Sequence, residues 1–379
     1  MSKLFSIPKF DFNHKIVSLI VELEKMRSIS IVGTTPHNIF FMIKQLFHLL
    51  ESVGSARIEG NNTTIAEYLS AEATQANSPQ EEITEISNIN DLLSYIDDNG
   101  ADKLEFNNFT IREFHSLIVK NLQREGSHSP GQYRSGNVKI NNSSHTPPEH
   151  YQVLEYMDQL FDFIKEPNPS QYDLIKIAMV HHAFAWIHPF DNGNGRVVRA
   201  LTYALMLKYG FKINAIGRVM NPVAVFCADR NQYYDNLQLA DTLSNEGVLE
   251  WCYYVLSAVK SEYDKTIKLT DYSYVYSKLI KPSIQEYHNI GIISKADITL
   301  IEQIIDKDSF KNSDIKHLFN NDKSSSRKIA ELKEKLIILP TKEGSKLYRF
   351  NLSNSVFLRI IANQLAKEDF LPNNAVNKK

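Results

Sequence analysis

His188-Pro-Phe-Asp-Asn-Gly-Asn-Gly-Arg-Val-Val-Arg199 lies between two apolar segments. Ile175 to Ile187 reads as a buried helix, and Val197 to Tyr209, with Ala200, Leu201, Ala204, Leu205 and Leu207, as a second. The joint between them carries Gly193 and Gly195, which permit positive φ and let another group approach the backbone. A glycine-rich turn opening a helix leaves N–H groups unpaired and aimed at one spot, with the positive end of the helix dipole behind them. Such a nest takes an anion, and phosphate is the usual one. Arg196 and Arg199 are three apart on the new helix, so both cover one face. His188 stands at the entrance and is the residue of the stretch that takes up a proton near neutral pH. The nest and arginines would hold a polyphosphate, and the histidine would take the proton of an attacking hydroxyl. Catalysis of that kind is mostly positioning plus charge stabilisation.

The stretch resembles the signature of the Fic family, His-x-Phe-x-Asp/Glu-Gly-Asn-Gly-Arg-x-x-Arg. Members are helical enzymes, most of which transfer AMP from ATP to a hydroxyl of a target protein, using magnesium. The resemblance implies His188 as general base and Phe190 as the anchor of the loop in the core. It implies Gly193, Asn194 and Gly195 around the phosphates, with Arg196 and Arg199 on the outer ones. The family's metal-binding carboxylate falls on Asn192, and Asp191 takes a variable position. Gly131-Gln-Tyr-Arg134, then Val138-Lys-Ile140, then Pro147-Pro148 is similar to the family's flap, a short strand pair over the active site. Such an edge could bind a target segment as an added strand. Ser55-Ala-Arg-Ile-Glu59-Gly60 resembles the inhibitory motif, whose glutamate reaches the second signature arginine and blocks productive ATP binding. Tyr233-Tyr234-x-x-Leu237 resembles the segment lining the adenine pocket. The implied cofactors are ATP and Mg2+, or Mn2+ given the neutral Asn192.

The 379 residues are 43% hydrophobic and 23% charged, the balance of a globular chain with room for two or three domains. A net charge of −2 gives no general pull toward nucleic acid or membrane. Cys227 and Cys252 match no metal or redox spacing and read as buried thiols of a reducing compartment. The N-terminal residues show no signal-peptide core and no run approaches a membrane span, so the expected location is the cytoplasm, unless a secretion system exports the chain.

The fold class expected is mainly α: an all-helical core of the Fic type with a short β-hairpin flap, plus a C-terminal winged helix-turn-helix. The division expected is 1–100, a helical region with the inhibitory motif; 101–262, the catalytic core; 263–293, a connecting helix; 294–352, the winged helix; and 353–379, a tail. Within 101–262, Val223 to Leu239 reads as one helix. Off-stripe His115 reads as a surface or satisfied histidine, His145 as a loop residue without a role, and His181 and His182 as core residues or residues backing the site. From Ser294 three helices, the second at Asn312 to Phe319, precede two strand-like pieces. This stretch holds 12 Lys/Arg and 9 Asp/Glu. Lys323, Arg327, Lys328, Lys333 and Lys335 on its third helix suit a helix that meets phosphates. A protein-binding or dimer-positioning module fits the same pattern.

The leading function is therefore AMP transfer from ATP to a Ser, Thr or Tyr hydroxyl of a target protein, or of the chain itself, held back by Glu59. Two alternatives stand beside it. One is removal of AMP at the same site, with Glu59 orienting a water. The other is a nucleotide-sensing regulator whose C-terminal domain binds DNA. A homodimer is expected, two-fold pairs being the commonest oligomers.

Overall fold

The computed structural model describes residues 5–28, 33–74, 80–100, 103–140, 143–213, 218–219 and 223–370. In chain order the elements begin with α1 (Ile16–Ser28), α2 (His37–Ile58), α3 (Ile65–Thr74), α4 (Glu81–Asn99) and α5 (Asn108–Ile118). Then come α6 (Val153–Lys165), α7 (Asp173–Ile187), α8 (Asn194–Lys208), the strands β1 (Lys212–Ile213) and β2 (Arg218–Val219), α9 (Val223–Ala228), α10 (Arg230–Leu239) and α11 (Asn245–Thr266). The rest comprises α12 (Tyr272–Val275), α13 (Lys281–Asn289), α14 (Lys295–Ile304), β3 (Phe310–Lys311), α15 (Asn312–Ile315), α16 (Asp322–Glu334), β4 (Ile338–Pro340), β5 (Leu347–Phe350) and α17 (Ser355–Lys367). The chain divides into one unit of Met1–Ile31, His48–Thr63 and Ala76–Lys265 and another of Val32–Phe47, Thr64–Gln75 and Thr266–Lys379.

The first unit is built on α7. This helix is apolar on every side, and nearly all of it, from Asp173 to Phe184, is buried, as a helix at the centre of a core must be. It packs against α6 and α8, and α8 against α4 and α5. The amphipathic α6 turns Val153, Met157, Leu160, Phe161 and Ile164 inward. Trp251 of α11 closes another side, its indole N–H donating to the Ala178 carbonyl at 2.6 Å. The α4 face carries Ile86, Ile89, Leu93 and Ile96, and it also buries two polar side chains, Glu85 and Asn88. Asn88 spans to the carbonyls of Ile118 and Lys120 and so ends α5. Glu85 points toward the site.

Several boundaries differ from the sequence expectation. The span 223–239 is two helices, because the Asp229 side chain accepts from the Gln232 N–H at 2.9 Å and caps a fresh helix. The expected hairpin flap is absent as a strand pair: residues 131–140 and 143–149 carry no strand. Val138 and Ile140 alternate with exposed Asn137 and Lys139, as in a strand. Pro147 and Pro148 bring no N–H to a ladder, however, and the segment stays an extended loop. Cys252 is buried as expected, but Cys227 is only half-buried; both are free.

In the second unit, β3, β5 and β4 form one antiparallel sheet with β5 in the middle, Phe310 opposite Tyr348 and Ile338 opposite Phe350. The helix expected over 312–319 is a single α turn, α15, followed by a tighter turn at Lys316–Leu318. Ser294 and Asp297 cap α14 reciprocally, and Asp297 also meets Lys328 of α16 at 3.0 Å. The C-terminal tail carries a further helix, α17. Its Phe357, Ile361 and Leu365 are buried, and it packs against α3 and α13 of the same unit.

Candidate active site

The site begins where α7 stops. His188 caps that helix at φ 51° and ψ 62°, a left-handed conformation uncommon outside glycine. A helix C-terminus leaves carbonyls without partners, and here the side chain of Arg134 takes them. Its Nε donates to the His188 carbonyl at 2.9 Å and its Nη2 to that of Ile187 at 3.4 Å, with further bonds to Gly136 and Pro148. The Arg134 backbone N–H meets the Pro189 carbonyl at 2.9 Å. Burial lowers the pKa of this guanidinium, and Glu149 opposes the shift. Sequence reading placed Arg134 in the flap but gave it no task. Its signal was a single arginine among Gly, Ser and Pro.

The half-buried His188 ring points Nδ1 at the Ala185 carbonyl, 3.4 Å away. An Nδ1–H in that direction leaves the Nε2 lone pair free. Burial is the main reason its pKa falls from 6.5 to about 4, with Arg134 acting the same way and Glu59 opposing. The ring is therefore neutral at neutral pH and ready to accept a proton.

The turn after His188 is locked from within. Asn194 accepts from the Phe190 N–H and donates to the Phe190 carbonyl, both at 2.9 Å. Phe190 is fully buried and stacks on His115, with ring centroids 3.8 Å apart and planes 4° apart. His115 Nδ1 accepts from the Gly131 N–H at 2.9 Å, so Nε2 carries the proton and donates to the Asn192 carbonyl at 3.2 Å. His115 is thus a satisfied core histidine, and it pins the signature loop to the base of the flap. Burial takes its pKa down to about 4. Gly193, at φ 77°, leads into α8, and a Cβ there would stand 3.1 Å from Val119. The first N–H to bond back along this turn is that of Val197, to the Gly193 carbonyl at 3.0 Å, so those of Asn194, Gly195 and Arg196 head the helix.

Both signature arginines are buried and both meet a carboxylate. Arg199 donates from Nη2 to Glu59 at 2.7 Å and to the Ser55 carbonyl at 3.0 Å, and from Nε to the Ser55 hydroxyl at 2.8 Å. Ser55 lies in the last turn of α2 and Glu59 in the bend just beyond it. A Cβ at Gly195 would fall 2.1 Å from the Glu59 carboxylate, so only glycine there lets the carboxylate lie on the head of α8. Burial pushes the Glu59 carboxyl up, but Arg199 and Arg196 outweigh it and hold it below its usual value. Arg196 is 1% exposed and lies 2.9 Å from Glu85 of α4, with Nη2 donating to the Glu125 carbonyl at 2.8 Å. Nothing in the sequence marked Glu85: it is one of three acidic residues in the first half of α4.

Of the expected adenine-pocket residues, Tyr233 is buried and Tyr234 is 38% exposed, while Leu237 is half-buried. The Thr202 hydroxyl donates to Val198 and so accepts from His181 Nδ1 at 2.7 Å. His181 Nε2 then accepts from the Tyr233 hydroxyl at 2.9 Å. Tyr233 therefore backs the site beside Arg199, and Tyr234 turns its ring outward under Arg230 at 5.4 Å. His182 meets Asp241 at 3.0 Å. His145 was given no role, yet it bonds the Trp186 carbonyl at 2.8 Å and fastens the far end of the flap beside His188. Asn192 Oδ1 accepts from the Gly193 N–H at 2.7 Å and Nδ2 donates to the Gly126 carbonyl at 3.1 Å. One lone pair of Oδ1 remains for a cation. Asp191 is exposed and accepts from Ser127 at 2.7 Å. Among the described residues no group of three His, Cys, Asp or Glu side chains could hold a metal ion.

Residues 105–206 match the model of the Fic/DOC family. A "Protein adenylyltransferase Fic" of Nematostella vectensis is 28% identical over 191 residues, 49% of this chain and 42% of that protein. One of Drosophila willistoni is 29% identical over 205 residues, 53% of this chain and 37% of that one. The chain thus spans only about two-fifths of the length of these curated relatives. Among solved structures, a Fic family protein from Desulfovibrio desulfuricans G20 superposes with a TM-score of 0.54 at 18% identity, covering 92% of this chain and 98% of its own. A Fic domain containing signaling protein from Bacteroides thetaiotaomicron gives 0.53 at 18% identity over 68% of this chain and 97% of its own. The neutral histidine, the helix-head nest and the two arginines all lie within the segment that matches the Fic/DOC family model.

Proposed function

We propose that this chain transfers AMP from ATP to a hydroxyl of a protein and is restrained by Glu59. One observation carries the reading: a neutral histidine with Nε2 free stands beside an unpaired helix head carrying two buried arginines. ATP would place its phosphates over the N–H groups of Asn194, Gly195 and Arg196, with Arg199 on an outer phosphate. The target oxygen attacks the α-phosphorus as its proton passes to His188 Nε2. The bond to the bridging oxygen breaks, and pyrophosphate leaves with the electron pair. Arg196 and Arg199 offset its charge. General base catalysis of this sort contributes about 10²–10⁴-fold. The cation, magnesium or manganese, would arrive on the ATP phosphates, with Asn192 offering one neutral oxygen. Tyr234 and Leu237 would border the adenine, and the extended Val138–Ile140 edge would receive the target segment. ATP labelled at the α-phosphate should leave label on protein, and ATP labelled at the γ-phosphate should not. Transfer of the γ-label instead would overturn the reading.

A second activity is supported by the C-terminal sheet. The order α14, β3, α15, α16, β4, β5, with β5 central, supports a winged-helix reading. Lys323, Arg327 and Lys333 of α16 and Lys342, Lys346 and Arg349 of the hairpin are exposed, which suits duplex DNA. A gel shift that weakens steeply with salt tests it; absence of any shift at low salt would remove it. Self-association into a homodimer and a cytoplasmic location belong to the same proposal. No helix among the described residues is long and apolar enough to cross a membrane. Light scattering tests the dimer.

A further inference from the structure

Glu85 is a buried carboxylate with two tasks. Its Oε1 lies 2.9 Å from Arg196 Nη1 and makes no in-line hydrogen bond there. Its Oε2 accepts from Asn61 Nδ2 at 2.9 Å. Asn61 stands two residues after Glu59. The same amide nitrogen donates to the Glu82 carbonyl at 2.9 Å, so Asn61 is held on α4 twice. The Asn61 backbone N–H returns to the Ala56 carbonyl at 3.1 Å, which also accepts from the Glu59 N–H. One carboxylate thus touches the first signature arginine with one oxygen and the bend that bears Glu59 with the other. Arg196 is 1% exposed and its Nε and Nη1 have no hydrogen-bond partner, so nothing on its own helix fixes that end of the guanidinium. A buried charge without a partner is costly. Glu85 is 2% exposed and supplies the opposing charge.

We propose that Glu85 is a positioning residue shared by Arg196 and the inhibitory bend: it orients the first signature arginine toward the nucleotide and, through Asn61, fastens Glu59 in its blocking place. The nucleotide half of this rests on the reading of the site given above. The anchoring half does not. A glutamine at 85 keeps the volume but cannot serve both neighbours, because Asn61 and Arg196 are both donors and an amide presents one oxygen. An alanine at 61 cuts only the tie to the bend.

Two measurements separate the halves. The first is hydrogen exchange of the ligand-free protein at the Glu59, Gly60 and Asn61 amides. Both Glu85→Gln and Asn61→Ala should speed it, and unchanged exchange in both would sink the anchoring role whatever the site binds. The second is ATP affinity by calorimetry in a Glu59→Gly background, where the block is gone. Glu85→Gln should weaken binding about tenfold, the loss expected when a charge-assisted contact goes. Asn61→Ala should leave it unchanged. Equal affinity in Glu85→Gln and its parent would show that Glu85 does not orient Arg196. If Glu59→Gly itself binds no ATP, the nucleotide reading fails, and the exchange experiment still decides the anchor. Should Glu85→Gln not fold, Glu85→Asp, which withdraws the carboxylate by one methylene, takes the same two readouts with the same expected directions.

Discussion

The signature loop and the flap lie side by side and are built in opposite ways. In the loop, Asn192, Asn194 and the Phe190 backbone each have partners within a few residues or on His115. In the flap, Arg134 and His145 tie the two ends and Asn137 reaches across to Glu149 and to the His150 N–H, while Ser135 to Asn137 and Lys139 are exposed. Chemistry that needs atoms placed within a fraction of an ångström suits the first. Recognition of a varied segment suits the second. The largest expected effect comes from removing the base while keeping the loop: His188→Ala should lower AMP transfer by about 10²–10⁴-fold. The melting temperature should shift little, since Nδ1 makes only a long contact. A folded variant with wild-type transfer would take His188 out of the mechanism.

Releasing the loop's own restraint works the other way. On the proposed reading Glu59 and a γ-phosphate would compete for Arg199, so Glu59→Gly should raise transfer by about tenfold or more, a change of about 1.4 kcal/mol or above. Equal labelling in both proteins would mean that the Glu59–Arg199 contact does not restrain catalysis. Arg134 tests the hinge between the two regions. Arg134→Ala leaves the carbonyls of Ile187, His188, Gly136 and Pro148 without this donor. The expected loss is about 2–4 kcal/mol of stability, read from denaturant midpoints. An unchanged midpoint would mean that water serves the corner equally well.

Acid should loosen the loop side first. His115 and His181 are buried and neutral, with pKa values lowered to about 4 and about 3 by desolvation. In the unfolded chain both take protons below about 6.5. Their contribution is full above that value and is lost as pH falls from there through 4 and 3. Glu59, held low by the arginines, loses its pair only in the same acid range, whereas Glu85, raised by burial, changes stability in the opposite direction. The unfolding midpoint should therefore fall between pH 7 and pH 5, and His115→Gln should flatten that fall.

The same contrast explains what the sequence disclosed. The loop could be read because its function depends on local spacing: glycines for positive φ, arginines three apart, a histidine at the helix end. Glu59 could be read because its motif is short and close to the end of α2. Glu85 and Arg134 could not, since their partners lie 111 and 54 residues away along the chain and their roles arise only when helices meet. The strand pair was expected from the likeness of the segment to the family's flap, and motif residues that keep a chain extended do so whether or not a second strand lies beside it. The same limit hid β3, a two-residue strand whose pairing with β5 spans most of the C-terminal sheet's sequence.

The smallest expected effect concerns Asn192, where the loop departs from the family pattern. A carboxylate there would add one unit of charge near a cation carried by ATP, worth about 4 kcal/mol at 4 Å with an effective dielectric near 20, before solvent and the phosphates screen it. The structure sets a cost against that gain. Asn192 Nδ2 now donates to the Gly126 carbonyl at 3.1 Å, and an aspartate would place an oxygen against an oxygen. Its other oxygen can still accept from the Gly193 N–H, so the head of α8 keeps its shape. The two changes oppose each other, and Asn192→Asp should lower the magnesium needed for half-maximal ATP binding only about threefold. The titration belongs in a Glu59→Gly background, so that the nest is open. Asp191→Ala is its companion, because Asp191 already spends one oxygen on Ser127 and lies on the exposed side of the turn. An unchanged requirement in Asn192→Asp with a collapse in Asp191→Ala would move the cation one residue back along the loop. It would also make the exposed carboxylate, rather than the half-buried amide, the ligand that this chain supplies.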